Sequence, residues 1–214
     1  MKNKGDIFMM NKLERRIIDI SYKLKLSHIS SCLMAVGIID EIYKVKAKDD
    51  IFILSNGHAG LALYTILEKY EGHNAEKLTL KHGTHPNRDL KNGIWCSTGS
   101  LGQGLPIAVG MALANRKRNV WVIISDGECA EGSIFEALRI ATENRLENMR
   151  IMLMANGMGA YGKIDLEYLR HRILTFYPML IVETNMFKYP DFLNGLEGHY
   201  CVLTEEQYKE VIKI

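Results

Sequence analysis

Two short segments of the 214-residue sequence combine residue types suited to a hard cation, Ser125-Asp-Gly-Glu128 and Ala155-Asn-Gly157. Each ends an apolar run. A carboxylate from Asp126 and a carboxamide oxygen from Asn156, completed by ligand phosphate oxygens, a backbone carbonyl and water, make an octahedral site for an ion such as magnesium. Gly127 lets a phosphate approach the backbone, and a helix starting near Gly132 offers free amides and a positive dipole end. Taken singly, Ser-Asp-Gly and Asn-Gly are also ordinary strand-end turns. Their pairing at the ends of two strands carries the metal reading. His28, His58, His85 and His199 stand beside Ser27, Gly57, Pro86 and Gly198, at element starts or in loops. Four imidazoles at such junctions suit hydrogen bonding and proton transfer in a cleft. His73, His82 and His171 read as surface or satisfied core residues, and the eleven methionines as core filler.

Gly99-x-x-Gly102-x-Gly104 before a helix suggests a second phosphate-approach loop, and it raises a competitor. Glycines, a helix, a strand and then an acidic residue imitate a dinucleotide fold whose carboxylate holds a ribose. The glycine order differs from G-x-G-x-x-G, Ile94–Thr98 is a poor buried strand, and that reading leaves Asn156 idle. No Lys-Ser/Thr follows the glycines, which excludes an NTPase phosphate loop.

The elements that must position these residues are legible from spacing. Asn11-Lys-Leu-Glu14 has the form of a capping box ahead of Ile17, Ile18, Ile20 and Leu24. A second helix runs from His28 to about Lys44, with Leu33, Met34, Val36 and Ile39 on its buried side. Asp50–Leu54 is extended, and Gly60–Tyr70 is helical. Glu71–Ser97 reads as a long loop with one helical turn near Glu76–Leu80. A helix follows Gly104 through Val109, Met111 and Leu113. Asn119–Ile124, Met149–Met154 and Met179–Val182 are apolar strands. They alternate with a helix that Ser133-Ile-Phe-Glu136 would cap as a second box, ending near Asn144, and with Leu166–Leu174. Thr204-Glu-Glu-Gln207 caps a closing helix. Continuous apolar strands separated by helices imply an α/β fold, a parallel sheet with helices on both faces, whose ligands collect beyond the carboxyl ends of the strands. One domain over 1–214 is the simplest count.

Bulk properties agree with that class. The chain is 47% hydrophobic and 24% charged, with a formal net charge of +2. Nothing in this balance calls for nucleic acid or a membrane surface. Cys32, Cys96, Cys129 and Cys201 are scattered without C-x-x-C and read as reduced thiols. Met1–Arg16 mixes charges through a short Ile7–Met10 patch, unlike a signal peptide, so a cytoplasmic protein is expected.

Together these segments resemble the N-terminal, thiamine diphosphate-binding half of transketolase. Leu54-Ser-Asn-Gly-His-Ala59 with Leu61-Ala-Leu-Tyr64 is similar to the family's serine-x-glycine-histidine turn and helix, and His85-Pro86 to its histidine-proline loop. Ser97-Thr-Gly-Ser-Leu-Gly-Gln-Gly104 with Ala108-Val-Gly-Met-Ala112 resembles its glycine-rich segment. Ser125-Asp-Gly-Glu-Cys-Ala-Glu-Gly132 with Asn156 resembles its cofactor motif, and Leu196-Glu-Gly-His-Tyr200 resembles the segment closing this half in split transketolases. The resemblance implies the thiamine diphosphate-binding fold, with Mg2+ or Ca2+ held by Asp126, Asn156 and the carbonyl of Met158. It implies cofactor contacts at His58, Gly99, Leu101, Asp126, Gly127, Asn156 and His199, and a catalytic cleft lined by His28, His58, His85 and His199. Glu131 would pair across an interface near the activating glutamate of the other half. That glutamate belongs to a separate pyrimidine-binding subunit, so the implied enzyme is a heterotetramer with two copies of each chain. Such an enzyme transfers a two-carbon ketol unit from a ketose to an aldose, on sugars or sugar phosphates. The alternatives are decarboxylation or acyloin formation on a 2-oxo acid, an NAD-dependent oxidoreductase, and a non-catalytic subunit. The chain departs from the family after His28 (Ile29-Ser-Ser31 for a proline- or glycine-containing turn), at Ser125 (glycine there), at Ala155 (asparagine there), in the shortened span between Tyr161 and Pro178, and at Met186–Pro190.

Overall fold

The computed structural model describes residues 9–159, 162–186 and 188–214. Ile7, Phe8, Tyr161 and Phe187, which entered the sequence reading, lie outside them. The first helix, α1 (Lys12–Leu24), starts as its sequence dictates. Asn11 accepts from the Leu13 and Glu14 amides, and the Glu14 carboxylate accepts in return from Asn11 N–H. It ends at Lys25 in the left-handed conformation, φ 55°. Then come α2 (Ile29–Val45), β1 (Ile51–Leu54), α3 (Gly60–Glu71), α4 (Ala75–His82) and α5 (Gly104–Ala114). The second half alternates β2 (Val120–Ser125), α6 (Gly132–Glu143) and β3 (Met149–Ala155). A small antiparallel hairpin of β4 (Met158–Gly159) and β5 (Gly162–Lys163) precedes α7 (Leu166–Phe176) and β6 (Leu180–Glu183). Two short helices, α8 (Gly195–Tyr200) and α9 (Glu205–Val211), follow, the latter capped by the Thr204/Gln207 box.

The four longer strands form one parallel sheet in the order β1-β2-β3-β6, with Ile123 opposite both Leu54 and Met152. Both faces are covered over β1, β2 and β3, whereas the edge strand β6, expected from Met179–Val182 to be a buried apolar strand, leaves Leu180 57% exposed. Phe52, Leu54 and Ile123 pack under α1, α2 and α3, while Ile53, Val122, Ile124 and Leu153 pack under α5, α6 and α7. Burial on both faces explains why β1 and β2 read as continuous apolar runs. Cys32, Cys96 and Cys129 are buried thiols, and Cys201 is a half-buried one. No helix among the described residues is long and apolar enough to cross a membrane.

Three local expectations need correction. The Glu71–Ser97 stretch contains a full eight-residue helix, α4, capped by Asn74 on the Lys77 amide. The rest of that loop is ordered by Asp89, which pairs with Lys81, His82 and Asn92. The Ser133–Glu136 box is not formed, because α6 starts earlier, at Gly132, and the Ser133 hydroxyl donates to the Gly102 carbonyl. Met34 is half-buried and faces the cavity described next.

Candidate functional site

The ends of β2 and β3 lie side by side at the carboxyl edge of the sheet. Asp126 is buried, 3% exposed. Its Oδ2 accepts from the amides of Asn156 (2.8 Å) and Gly157 (2.7 Å), and its Oδ1 from Gly127 (3.0 Å). Burial pushes its carboxyl above the usual range, and the three amides only partly offset this. The Asn156 carboxamide is fixed at both ends. Its Oδ1 accepts from Met158 N–H (2.8 Å), and its Nδ2 lies 3.5 Å from the Met34 sulfur. A Cβ added at Gly127 would come 3.7 Å from the Met158 carbonyl oxygen, which brings that carbonyl to the same corner.

These groups fit a hard divalent cation. The donors are oxygens of three kinds, and a buried carboxylate bonded to backbone amides gains from a cation beside it. Among the described residues there is no cluster of three His, Cys, Asp or Glu side chains of the kind softer metals use.

Across the same cavity stand the histidines. His28 occupies the left-handed conformation at the start of α2, φ 62°, and its N–H donates to the His199 carbonyl at 2.9 Å. The His28 ring centroid lies 4.4 Å from His199, 5.7 Å from His58 and 6.4 Å from His85. Ser27 Oγ is 2.8 Å from His28 Nδ1, and Ser31 Oγ is 3.4 Å from His199 Nδ1. Burial, reinforced by the neighbouring rings, lowers His28 to about 4 and His58 to about 3. Burial lowers His199 as well. These three imidazoles are therefore neutral near pH 7. The glycine-rich loop is fitted to this cluster: at Gly99, φ 152°, an added Cβ would lie 2.9 Å from the His85 ring.

One cavity of about 420 Å³ is lined by His28, His58, His85, His199, Gly99, Leu101, Asp126, Gly127, Asn156 and Met158. Gly102, Gly104 and Gly132, expected to approach a phosphate, are not among its lining residues. The structure thus brings together every residue to which the resemblance gives a metal, cofactor or catalytic role except Glu131. That residue precedes α6 and packs behind the glycine-rich loop, where a Cβ on Gly102 would lie 2.7 Å from its own. Met34, Met154 and Met186 also line the cavity, so these methionines do more than fill core.

The sequence reading missed Glu128. Its side chain is wholly buried. Oε1 accepts from Ser55 Oγ (2.6 Å) and Gly102 N–H (3.1 Å), and Oε2 from Ser125 N–H (2.9 Å) and Ser125 Oγ (3.4 Å). A glutamate in an Asp-Gly-Glu turn looks solvated. Only the convergence of two distant segments, around Ser55 and Gly102, on this turn shows otherwise.

A doubly covered parallel sheet with hard oxygen donors beyond two adjacent strand ends defines a cofactor-binding α/β domain. Residues 44–176 match the family described as transketolase, thiamine diphosphate binding domain, and the chain belongs to that family. The chain is 28% identical to a subunit of apulose-4-phosphate transketolase from Phocaeicola vulgatus, over 94% of this chain and 90% of that one. It is 35% identical to the protein of the same name from Actinobacillus succinogenes, over 55% of this chain and 46% of that one. With human transketolase it shares 29% identity over 74% of its own length but only 29% of the human protein. The fold matches transketolase from Leishmania mexicana with a TM-score of 0.63 at 22% identity, covering 83% of this chain and 37% of that one. No strand precedes Gly99 directly, where a dinucleotide fold would need one.

Proposed function

We propose that this chain is the diphosphate- and metal-binding subunit of a two-subunit transketolase, moving a two-carbon ketol unit from a ketose donor to an aldose acceptor. The observation that carries the reading is that hard oxygen donors and four histidines line one cavity. Asp126, Asn156 and the Met158 carbonyl would hold Mg2+ or Ca2+, and through it the diphosphate. Gly99, Leu101 and Gly127 bring backbone close to the cofactor. Thiamine diphosphate, when bound, supplies the nucleophilic carbon to which the two-carbon unit is transferred.

The chain's own groups handle the sugar. Ser27 and Ser31 engage Nδ1 of His28 and His199, which leaves Nε2 of each for substrate. His58 and His85 complete a ring of imidazoles that can bond sugar hydroxyls. As neutral imidazoles, His28, His58 and His199 can take a hydroxyl proton as a carbon–carbon bond opens and return it as the next one closes. Two relatives are named as single subunits of a transketolase. Their names support a separate partner, which would supply the activating glutamate, with Glu131 near the contact and two copies of each chain. A cytoplasmic enzyme acting on sugar phosphates follows from the same reading, and the relatives' name makes apulose 4-phosphate the first donor to try.

The test is turnover by the chain co-purified with its pyrimidine-binding partner, in thiamine diphosphate and magnesium. Ketose phosphates are compared with pyruvate as donors. Product is expected only with ketose donors, and only with both chains present. Activity on pyruvate alone would support the 2-oxo acid reading instead, and inactivity with every ketose–aldose pair would refute ketol transfer.

A further inference from the structure

Four donors from three separate segments converge on Glu128, and each segment also delivers a cavity residue. Ser55 is three residues before His58, and Gly102 directly follows Leu101. Ser125 directly precedes Asp126. The segments are packed without slack: a Cβ added at Gly104 would lie 2.5 Å from Ser55 Oγ. All four contacts reach Glu128 as donors, so only a group that accepts at both ends satisfies them. We infer that Glu128 is the positioning residue of the cofactor site. It sets the separation between the glycine-rich loop and the metal-ligand turn at which both sides of the cofactor are held at once. The inference rests on the cofactor reading above, and it assigns the fit of that site to a residue that does not line the cavity.

Glutamine in its place keeps shape and volume but can accept at one end only. In either orientation a buried amide, Gly102 N–H or Ser125 N–H, loses its acceptor, and the loop shifts relative to Asp126. On this inference magnesium pyrophosphate is held through the metal-ligand turn, whereas thiamine diphosphate engages the turn and the part of the loop at Gly99 and Leu101 together. The experiment is calorimetric titration of the full chain with each of these two ligands in saturating magnesium, for wild type, Glu128→Gln and Ser55→Ala. Glu128→Gln is expected to weaken thiamine diphosphate at least tenfold and pyrophosphate less than threefold. Ser55→Ala, which removes a single arm and keeps the protein testable should the first variant fail to fold, is expected to show the same selectivity at about threefold. Equal weakening of both ligands, or no weakening of either, overturns the positioning role. Wild type that binds neither ligand overturns the cofactor reading itself, an outcome visible before any variant is made.

Discussion

Asp126 carries its charge in a place where burial opposes it, held by three backbone amides. A cation beside it relieves that opposition, so metal binding and carboxylate burial favour each other. Asp126→Asn keeps the shape and removes the charge. Changes to residues around a metal commonly cost 10- to 100-fold in affinity, and loss of a ligand's charge should reach the upper end. Magnesium-dependent binding of thiamine diphosphate by this variant is expected to fall about 100-fold, read by calorimetry. The histidines give a second expectation. His58 falls from an ordinary 6.5 to about 3 on folding, so the unfolded chain takes up a proton that the folded chain refuses. Its contribution to stability is complete above pH 6.5 and is lost progressively as pH falls towards about 3. His28 acts in the same sense down to about 4. Asp126 and Glu128, raised by burial, act in the opposite sense, so wild type alone would blur the effect. Subtraction isolates it: denaturation midpoints of wild type minus those of His58→Gln should decline from pH 7 to pH 4. A difference independent of pH would contradict the assignment.

Elements hold these residues by backbone conformation as much as by side chains. Gly99 combines φ 152° with a neighbouring imidazole where a Cβ would go. Gly99→Ala is therefore expected to cost about 1–3 kcal/mol in chemical denaturation and to displace His85. Lys25 ends α1 with φ 55°, a conformation that glycine adopts without strain. Lys25→Gly should stabilise the chain by about 1 kcal/mol and leave cofactor affinity unchanged. The helices and the parallel strands were legible because their signals are local: the Asn11–Glu14 and Thr204–Gln207 boxes, and the unbroken apolar runs of β1 and β2. Helix α4 was legible only as one turn near Glu76–Leu80, because it buries only Ala75, Leu78 and Thr79, too few to show a full helical period. The β4–β5 hairpin escaped for a related reason, since its strands are two residues each. Ser133 had the right residue for a cap but a nearer acceptor in the Gly102 carbonyl. Asp126, Asn156 and the histidines could be picked out because turn glycines and a recurring order accompany them. Glu128 could not, since two of its three partners, Gly102 and Ser55, are 26 and 73 residues away in sequence.

At the scale of the whole molecule, the two apolar layers on either side of the sheet leave one polar edge, and there β1, the glycine-rich loop, β2 and β3 deliver their chemistry. The oxygen donors of Asp126, Asn156 and Met158 and the four histidines line this one cavity. The chain spans 90% of the Phocaeicola relative but only 29% of human transketolase. The relatives named as single subunits of a transketolase are what supports a separate partner. The proposal that the chain anchors a diphosphate through a metal does not depend on the partner and can be tested first. The direct measurement is calorimetric titration of the full chain with thiamine diphosphate in magnesium, repeated in EDTA and with Asp126→Asn. Saturable binding that EDTA abolishes and the variant largely loses is the expected result. Binding indifferent to both, or heat released with NAD and none with thiamine diphosphate, would contradict the account.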